Sequence, residues 1–391
     1  MRLDRRTLLA AAAAATLPGP AAAARPKKKP APRCKGRVAY AGPPLRAPLA
    51  AGALEAAARA GAARLQPVID DGLEARLERA AGQMQVQALG AALARPDGSL
   101  WTQTHAAAGP PPSRFFWASV GKAYTASAIL QMVEEGKLAL DAPVGRWAPN
   151  LPNAAHVTIE DLLAHTSGLY SFQEDAGLRA DPGYKSPETL LNVAAAHPAL
   201  FCPGAAWSYS NTGYVLLGRI MEAVDGKPYD QALTGRIVER LELRETTILA
   251  PRQVPADMAP PAGAETEDLT TPYAAGAVAA SAADVVRFWR ALMSNRLHGA
   301  QATAGRLARL YPMAGVSPAS FYGQGMMVSD LALADPAASD TWIGHAGGLP
   351  GAKAMVAYSL EKQAYVAVAL TGEGSPEATA NLLLSGLPKK A

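Results

Sequence analysis

The chain has 391 residues, 49 % of them hydrophobic, which is enough to build a packed core across two lobes. Its formal net charge is +4, from 37 Lys and Arg against 33 Asp and Glu. That excess lies at one end (Arg2, Arg5 and Arg6 against Asp4, then Arg25, Lys27, Lys28, Lys29, Arg33, Lys35 and Arg37 with no acid), so residues 38–391 carry −5 and nucleic-acid binding by the body is excluded.

In chain order, residues 1–24 read as an export signal. The twin arginine Arg5-Arg6 precedes a short alanine-rich apolar run and a small-residue site, with cleavage expected near Ala23 or Ala24. The run is too short to span a bilayer. The mature chain is therefore expected to be exported, periplasmic or secreted, with no transmembrane span. Residues 25–63 read as a basic Pro/Ala-rich tether, solvated and flexible. Cys34 and Cys202 are too few for a disulfide framework, and Cys202 beside Pro203-Gly204 is expected to be a packed thiol.

Leu65, Val68, Ile69, Leu73 and Leu77 recur at helical spacing and predict an amphipathic helix ending near Ala81-Gly82. Val86 to Ala94 predicts a strand, Pro96-Asp97-Gly98 a turn, and Ser99 to Thr104 its partner. From Ser119 to about residue 250 the pattern is mostly helical. Thr158 with Asp161, and Ser281 with Asp284, have capping-box spacing. Residues 341–346, 352–360 and 364–371 predict consecutive strands, and Ser375-Pro376 opens a C-terminal helix. The fold class is α+β: an antiparallel sheet flanked by N- and C-terminal helices, plus a mostly helical lobe. The catalytic domain is assigned to 64–391, with 64–118 and 275–391 as sheet lobe and 119–274 as helical lobe.

Three short strings carry chemistry: Ser119-x-x-Lys122, Tyr209-x-Asn211 and His345-x-Gly347. A serine hydroxyl is a poor nucleophile until a base activates it, and the developing oxyanion needs fixed donors. On a helix, residues i and i+3 share a face, so Ser119 and Lys122 can meet. A chain of this length holds about one S-x-x-K by chance. The second, Ser359-Leu360-Glu361-Lys362, ends a strand-like run, where i and i+3 point to opposite faces, and is set aside. Each string alone has a plainer reading: a helix-start serine, a packed tyrosine, a glycine turn. No metal-ligand spacing, phosphate-binding glycine loop or dinucleotide-binding unit is present in the sequence, so no cofactor and no metal are expected. A G-x-S-x-G elbow is absent too, which removes an α/β-hydrolase.

The surroundings of the strings extend the pattern. They read Phe115-Phe116-Trp117-Ala118-Ser119-Val120-Gly121-Lys122, Leu162-Leu163-Ala164-His165-Thr166-Ser167-Gly168-Leu169, and Phe201-Cys202-Pro203-Gly204 through Tyr209-Ser210-Asn211-Thr212-Gly213-Tyr214. Leu216-Leu217-Gly218, Ala275-Gly276-Ala277-Val278, Tyr322-Gly323-Gln324-Gly325 and Gly344-His345-Ala346-Gly347-Gly348 follow. Together they resemble the serine β-lactamase-like superfamily, which spans class C β-lactamases, D-alanyl-D-alanine carboxypeptidases and esterases of that fold. The resemblance covers roughly residues 64–375.

The resemblance implies Ser119 as nucleophile, with Lys122 and Tyr209 as one coupled acid–base unit. Which of the two takes the proton stays open. It implies Asn211 donating to the substrate's acyl amide or orienting Lys122. It also implies an oxyanion hole from the backbone N–H groups of Ser119 and Gly348, with His345, Gly347 and Gly348 on the sheet's edge strand against substrate. Phe116 and Trp117 are expected in the core, His165 in a structural turn, and Tyr322 to Gly325 lining the cleft.

One departure stands out: His345 replaces the family's lysine and Ala346 its hydroxyl residue. A half-charged imidazole there would make turnover of carboxylate-bearing substrates fade above its pKa, and not that of neutral esters. The reading is an exported serine hydrolase, D-Ala-D-Ala-carboxypeptidase-like or esterase, acting as a monomer on a small-molecule or peptidoglycan-type substrate. The alternatives are a class C-like β-lactamase and a penicillin-binding-like sensor that acylates without turnover.

Overall fold

The computed structural model describes residues 34–263, 267–313, 315–335 and 338–387. The expected export signal and residues 25–33 lie outside them. In chain order the strands are β1 (Gln66–Pro67), β2 (Val86–Ala94), β3 (Ser99–Ala106), β4 (Phe115–Phe116), β5 (Thr246–Ile248) and β6 (Val278–Ala280). They continue with β7 (Tyr311–Pro312), β8 (Ser320–Tyr322), β9 (Met327–Asp330), β10 (Thr341–Leu349), β11 (Ala352–Ser359) and β12 (Ala364–Gly372).

Among the described residues nine of these form one sheet in the order β1-β3-β2-β12-β11-β10-β9-β8-β7. All its pairings are antiparallel except the parallel contact of β1 with β3. Alternation along each strand sorts side chains to two faces. Leu89, Ala91 and Leu93 of β2 join Val366, Val368 and Leu370 of β12 on one face. There α2 (Asp71–Met84) and the C-terminal helix Pro376–Ser385 cover them with Leu73, Leu77 and Leu383. Ala88, Ala92, Tyr365 and Ala367 take the opposite face. That face packs on the helix Ala282–Met293 through Val285, Phe288 and Trp289, and beyond it on the helical lobe. A second sheet, β4-β6-β5, supports the entry to Ser119.

The predicted helix from Leu65 begins later. Pro67 and Gln66 form β1, Ile69 is 89 % exposed, and Asp70 caps the helix by accepting from Leu73 N at 3.0 Å. The cap residue stopped the helical spacing from extending backward. Thr158 and Asp161 do form a complete capping box. Ser281 caps its helix through Asp284 N at 3.2 Å, while the Asp284 carboxylate turns to Glu245 N at 2.8 Å.

The tether expectation is overturned from Cys34 onward. Residues 34–50 form a strap along the body, and Ala51–Ala62 is a helix, α1. The strap is pinned by a Cys34–Cys202 disulfide, which replaces the expected packed thiol, and by Arg46 on Asp330 at 2.6 Å. A 168-residue separation hid the disulfide from local reading. Arg290, buried in the helix Ala282–Met293, donates to the C-terminal carbonyl of Ala60 at 2.9 Å, and Tyr365 OH donates to Ala57 O at 2.6 Å. The Arg290 contact thereby satisfies an orphan carbonyl at the helix end, while Tyr365 ties the helix one turn earlier. Tyr365→Phe is expected to lower unfolding free energy by about 1 kcal/mol, and Arg290→Ala by about 3 kcal/mol. Urea unfolding measures both; no loss in either would return α1 to the status of a tether.

Candidate active site

Ser119 sits in a tight turn, Ala118–Val120, that leads into the helix α3 (Gly121–Glu134). Trp117 fixes the entry: its N–H donates to Val278 O at 2.9 Å and its indole Nε1 to Ala280 O at 2.9 Å. Ala118 adopts φ +45°, a strained backbone for a residue with a Cβ. Two glycines make room for that turn. A Cβ on Gly276 would lie 2.8 Å from Ala118 C, and one on Gly347 2.6 Å from Ser119 N. The turn is thus clamped between residue 276 and β10, and Ser119 remains partly exposed.

Lys122 follows one turn later and is fully buried. Its Nζ lies 2.9 Å from Ser119 Oγ and donates to Ala275 O at 2.7 Å. It also sits 5.0 Å from the centroid of the Tyr209 ring and 5.5 Å from that of Tyr214. Among the described residues no carboxylate forms an ion pair with it. Burial without a counter-charge disfavours the ammonium and holds the Lys122 pKa well below its ordinary value. Burial pushes the Tyr209 phenol the other way, above its ordinary value, and a hydrogen bond with the Ser119 side chain opposes that in part. The hydroxyl, amine and phenol of the first two strings therefore meet at one point.

β10 is interior to the sheet only as far as Gly344, where pairing with β9 ends. From His345 to Leu349 it pairs with β11 alone. The expected edge strand is an edge in this second half, where it passes Ser119.

His345 departs from expectation. It is buried, Tyr322 OH lies 3.0 Å from Nε2, and Nδ1 donates to Ala346 O at 2.6 Å. Burial first, and Lys122 second whenever it is protonated, lower its pKa to about 3. The imidazole is neutral throughout the working range, both nitrogens are taken, and the expected half-charged carboxylate contact falls away. With Nδ1–H given to a carbonyl, Nε2 accepts from Tyr322. Asn211 does not orient Lys122: its amide donates to Gln173 Oε1, its N–H to Ser171 Oγ at 3.2 Å, and its buried Oδ1 has no partner among the described residues. His165, at φ +60°, accepts from Ser210 N at 3.2 Å and lies 4.3 Å from the Tyr209 ring, centroid to centroid. Those contacts position the tyrosine. Trp207 and Tyr322 continue the aromatic wall at 6.4 and 5.9 Å from Tyr209.

Ser359, set aside on sequence grounds, bonds Asp340, while Lys362 Nζ reaches Leu387 O at 3.0 Å. Sequence reading missed Ala275 as a lysine acceptor, Gln173 as the partner of Asn211, and Arg306. Arg306 is fully buried beneath the site, where it donates to Gln324 O and Ser127 Oγ, both at 2.9 Å. No local motif marks any of these.

Comparison with known proteins places this geometry. A family model described as Beta-lactamase matches residues 69–385. Esterase EstB of Burkholderia gladioli is 38 % identical over 148 residues, covering 34 % of this chain and 37 % of that protein. The chain spans about half the length of the curated relatives it matches, from 37 % to 57 % in three of them. A D-stereospecific amidohydrolase from Streptomyces sp. superposes with a TM-score of 0.71 at 28 % identity, over 80 % of this chain and 99 % of that one. An octameric penicillin-binding protein homologue from Pyrococcus abyssi shares the fold, with a TM-score of 0.67 at 23 % identity, over 81 % of this chain and 78 % of that one. That octamer leaves the expected monomer without support. Among the described residues no helix is long and apolar enough to cross a membrane.

The clamp around Ser119 gives a stability test. Gly276→Ala and Gly347→Ala are each expected to cost about 1–3 kcal/mol, because the new methyl meets backbone. Gly348→Ala, whose Cβ would sit 3.4 Å from the nearest atom, is expected to be near neutral. Thermal unfolding of the three proteins decides, and equal losses would mean that no such clamp exists.

Proposed function

This chain belongs to the Beta-lactamase family, and from that premise we propose a serine hydrolase that forms an acyl-enzyme on Ser119 and acts on esters and D-amino-acid amides. The observation that carries the reading is the buried amine of Lys122, 2.9 Å from Ser119 Oγ with no carboxylate among the described residues to hold its charge. A neutral amine is a base, and the opposed pKa directions of Lys122 and Tyr209 favour a neutral lysine beside a neutral phenol. In the proposed cycle Lys122 takes the Ser119 proton as Oγ attacks the acyl carbon. Tyr209 passes a proton to the departing oxygen or nitrogen, and the backbone N–H groups of Ser119 and Gly348 receive the oxyanion. Lys122 then returns its proton to Tyr209, water attacks the acyl-enzyme and gives a proton to Lys122, and Ser119 Oγ takes that proton back as the acid product leaves. Asn211, with an unpaired Oδ1, is assigned to the acyl side chain's amide.

Substrates without a free carboxylate are favoured. Both nitrogens of His345 are occupied and Ala346 has no hydroxyl. Lys122 and Arg306, the two basic side chains that act on the His345 imidazole, are fully buried. This ranks esterase and amidase activity above the class C-like β-lactamase and above the carboxypeptidase-like reading. Similarity to an esterase and to a D-stereospecific amidohydrolase supports the same ranking. Export to a periplasmic or secreted location is proposed from the twin-arginine segment, with support from the disulfide, a bond that persists in oxidising compartments.

A panel tests the assignment: short nitrophenyl esters, a D-amino-acid amide, nitrocefin, and a D-Ala-D-Ala peptide with its terminus free or amidated. Turnover of the esters and amides is expected, with the amidated peptide cleaved about 10-fold or more faster than the free acid. Ser119→Ala is expected to lose at least ~10³-fold in kcat. A burst without turnover in rapid-quench kinetics would favour the sensor, and preference for the free acid or nitrocefin would reverse the ranking.

The pH dependence has a definite sign. The active form carries Lys122 deprotonated, so kcat/KM is lost as pH falls through the lowered lysine pKa and recovers above it. No loss is expected towards pH 10, because the Tyr209 pKa is raised, and no imidazole limb appears, because His345 stays neutral down to about 3. A rate that falls as the pH is raised from 6 to 8, with esters and acids alike, would contradict this assignment.

A further inference from the structure

The segment that carries Tyr209 is held from both sides. On its inner side Gly204 N donates to Thr166 O at 2.9 Å, Ser208 N to His165 O at 3.0 Å and Ser210 N to His165 Nδ1 at 3.2 Å. On its outer side lies the strap, residues 34–50. The Cys34–Cys202 bond attaches it, Val38 N donates to Pro203 O at 2.9 Å, and Ala41 N to Ala205 O at 2.8 Å. Gly204, at φ +85°, is shaped for this contact, since a Cβ there would strike the Val38 carbonyl.

The strap also supplies charge. Asp161 is fully buried and accepts from Thr166 Oγ1 at 2.8 Å, next to His165. Its cation is Arg37, with Nε 3.1 Å from Oδ1. A buried carboxylate stripped of its partner is strongly disfavoured, so loss of Arg37 would disturb the 161–166 turn that grips the tyrosine segment. At its other end the strap is tied to the sheet lobe by Arg46, which pairs with Asp330 and donates N–H to Leu310 O at 3.0 Å.

We propose that the strap is a positioning element of the acyl-transfer site: Arg37 and the Cys34–Cys202 disulfide hold Tyr209 in register with Ser119 and Lys122, and the site is complete only with the strap closed. This rests on the serine-hydrolase reading above. Neither Arg37 nor Cys34 touches the reacting atoms; both act through the 202–210 segment and the 161–166 turn.

The test uses the folded, oxidised protein. Dithiothreitol transfers two electrons and two protons to the disulfide, giving the Cys34 and Cys202 thiols and a cyclic disulfide of the reagent. Reduced wild type, Arg37→Ala and Arg37→Lys are compared with oxidised wild type on nitrophenyl acetate, with near-UV circular dichroism to certify the fold. The expected result is a loss of about 10-fold or more in kcat for the reduced protein and for Arg37→Ala, because small misplacements of a catalytic group are costly. KM is expected to stay within about twofold, reoxidation to restore the rate, and Arg37→Lys to retain more activity than Arg37→Ala. Should Arg37→Ala fail to fold, the reduced wild type decides alone. Folded proteins whose kcat stays within about twofold after reduction or Arg37 loss would overturn the proposal and reduce the strap to a stability staple. An oxidised wild type that gives no Ser119-dependent turnover at all would instead sink the hydrolase reading itself.

Discussion

The arrangement depends on an amine buried without a counter-ion. Lys122 is out of water, no carboxylate pairs with it among the described residues, and its fixed neighbours are Ser119 Oγ, Ala275 O and two tyrosine rings. An ammonium in that setting lacks its hydration, and two hydrogen bonds and two ring faces restore only part of it. The amine is therefore driven towards its neutral, basic form beside the Ser119 hydroxyl that it is proposed to activate. The architecture around it serves that placement. The β4-β6-β5 sheet fixes Trp117, the strained turn at Ala118 aims the serine, and Gly276 and Gly347 let two other strands of backbone close on it.

The histidine on β10 follows from the same constraint. A permanent cation buried at residue 345 would lose its hydration just as an ammonium at Lys122 does. The chain instead places a neutral imidazole, bonded at both nitrogens to Tyr322 and Ala346. His345 is thus part of the wall, together with His165, Trp207 and Tyr322, and it leaves the substrate side of β10 to backbone groups and glycine.

Much of this was legible from sequence because the signals are local. Val86–Ala94 and the closing strands announce themselves by their apolar runs between turns, and the Thr158–Asp161 box by its spacing. The two S-x-x-K strings were separable because helix and strand put i and i+3 on different faces, and Ser359 indeed spends its hydroxyl on Asp340. What escaped is what depends on distant partners. The strap looked like a tether because its composition is basic and Pro/Ala-rich, while its anchors, Cys202, Asp161 and Asp330, lie far along the chain. The alanine-rich α1 gave no apolar stripe to read; Arg290 and Tyr365 hold it. The burial of His345 is a matter of packing, which an H-x-G string does not encode.

The charge state of Lys122 is the point on which the account turns. Nuclear magnetic resonance of selectively carbon-labelled lysine, with the Lys122 resonance assigned by its loss in Lys122→Met, titrates that amine directly in the resting protein. The expected midpoint lies well below the ordinary lysine value of about 10.5, with the amine largely neutral at the pH where ester turnover plateaus. A midpoint at or above the ordinary value would contradict it, because the ammonium could not then accept the serine proton.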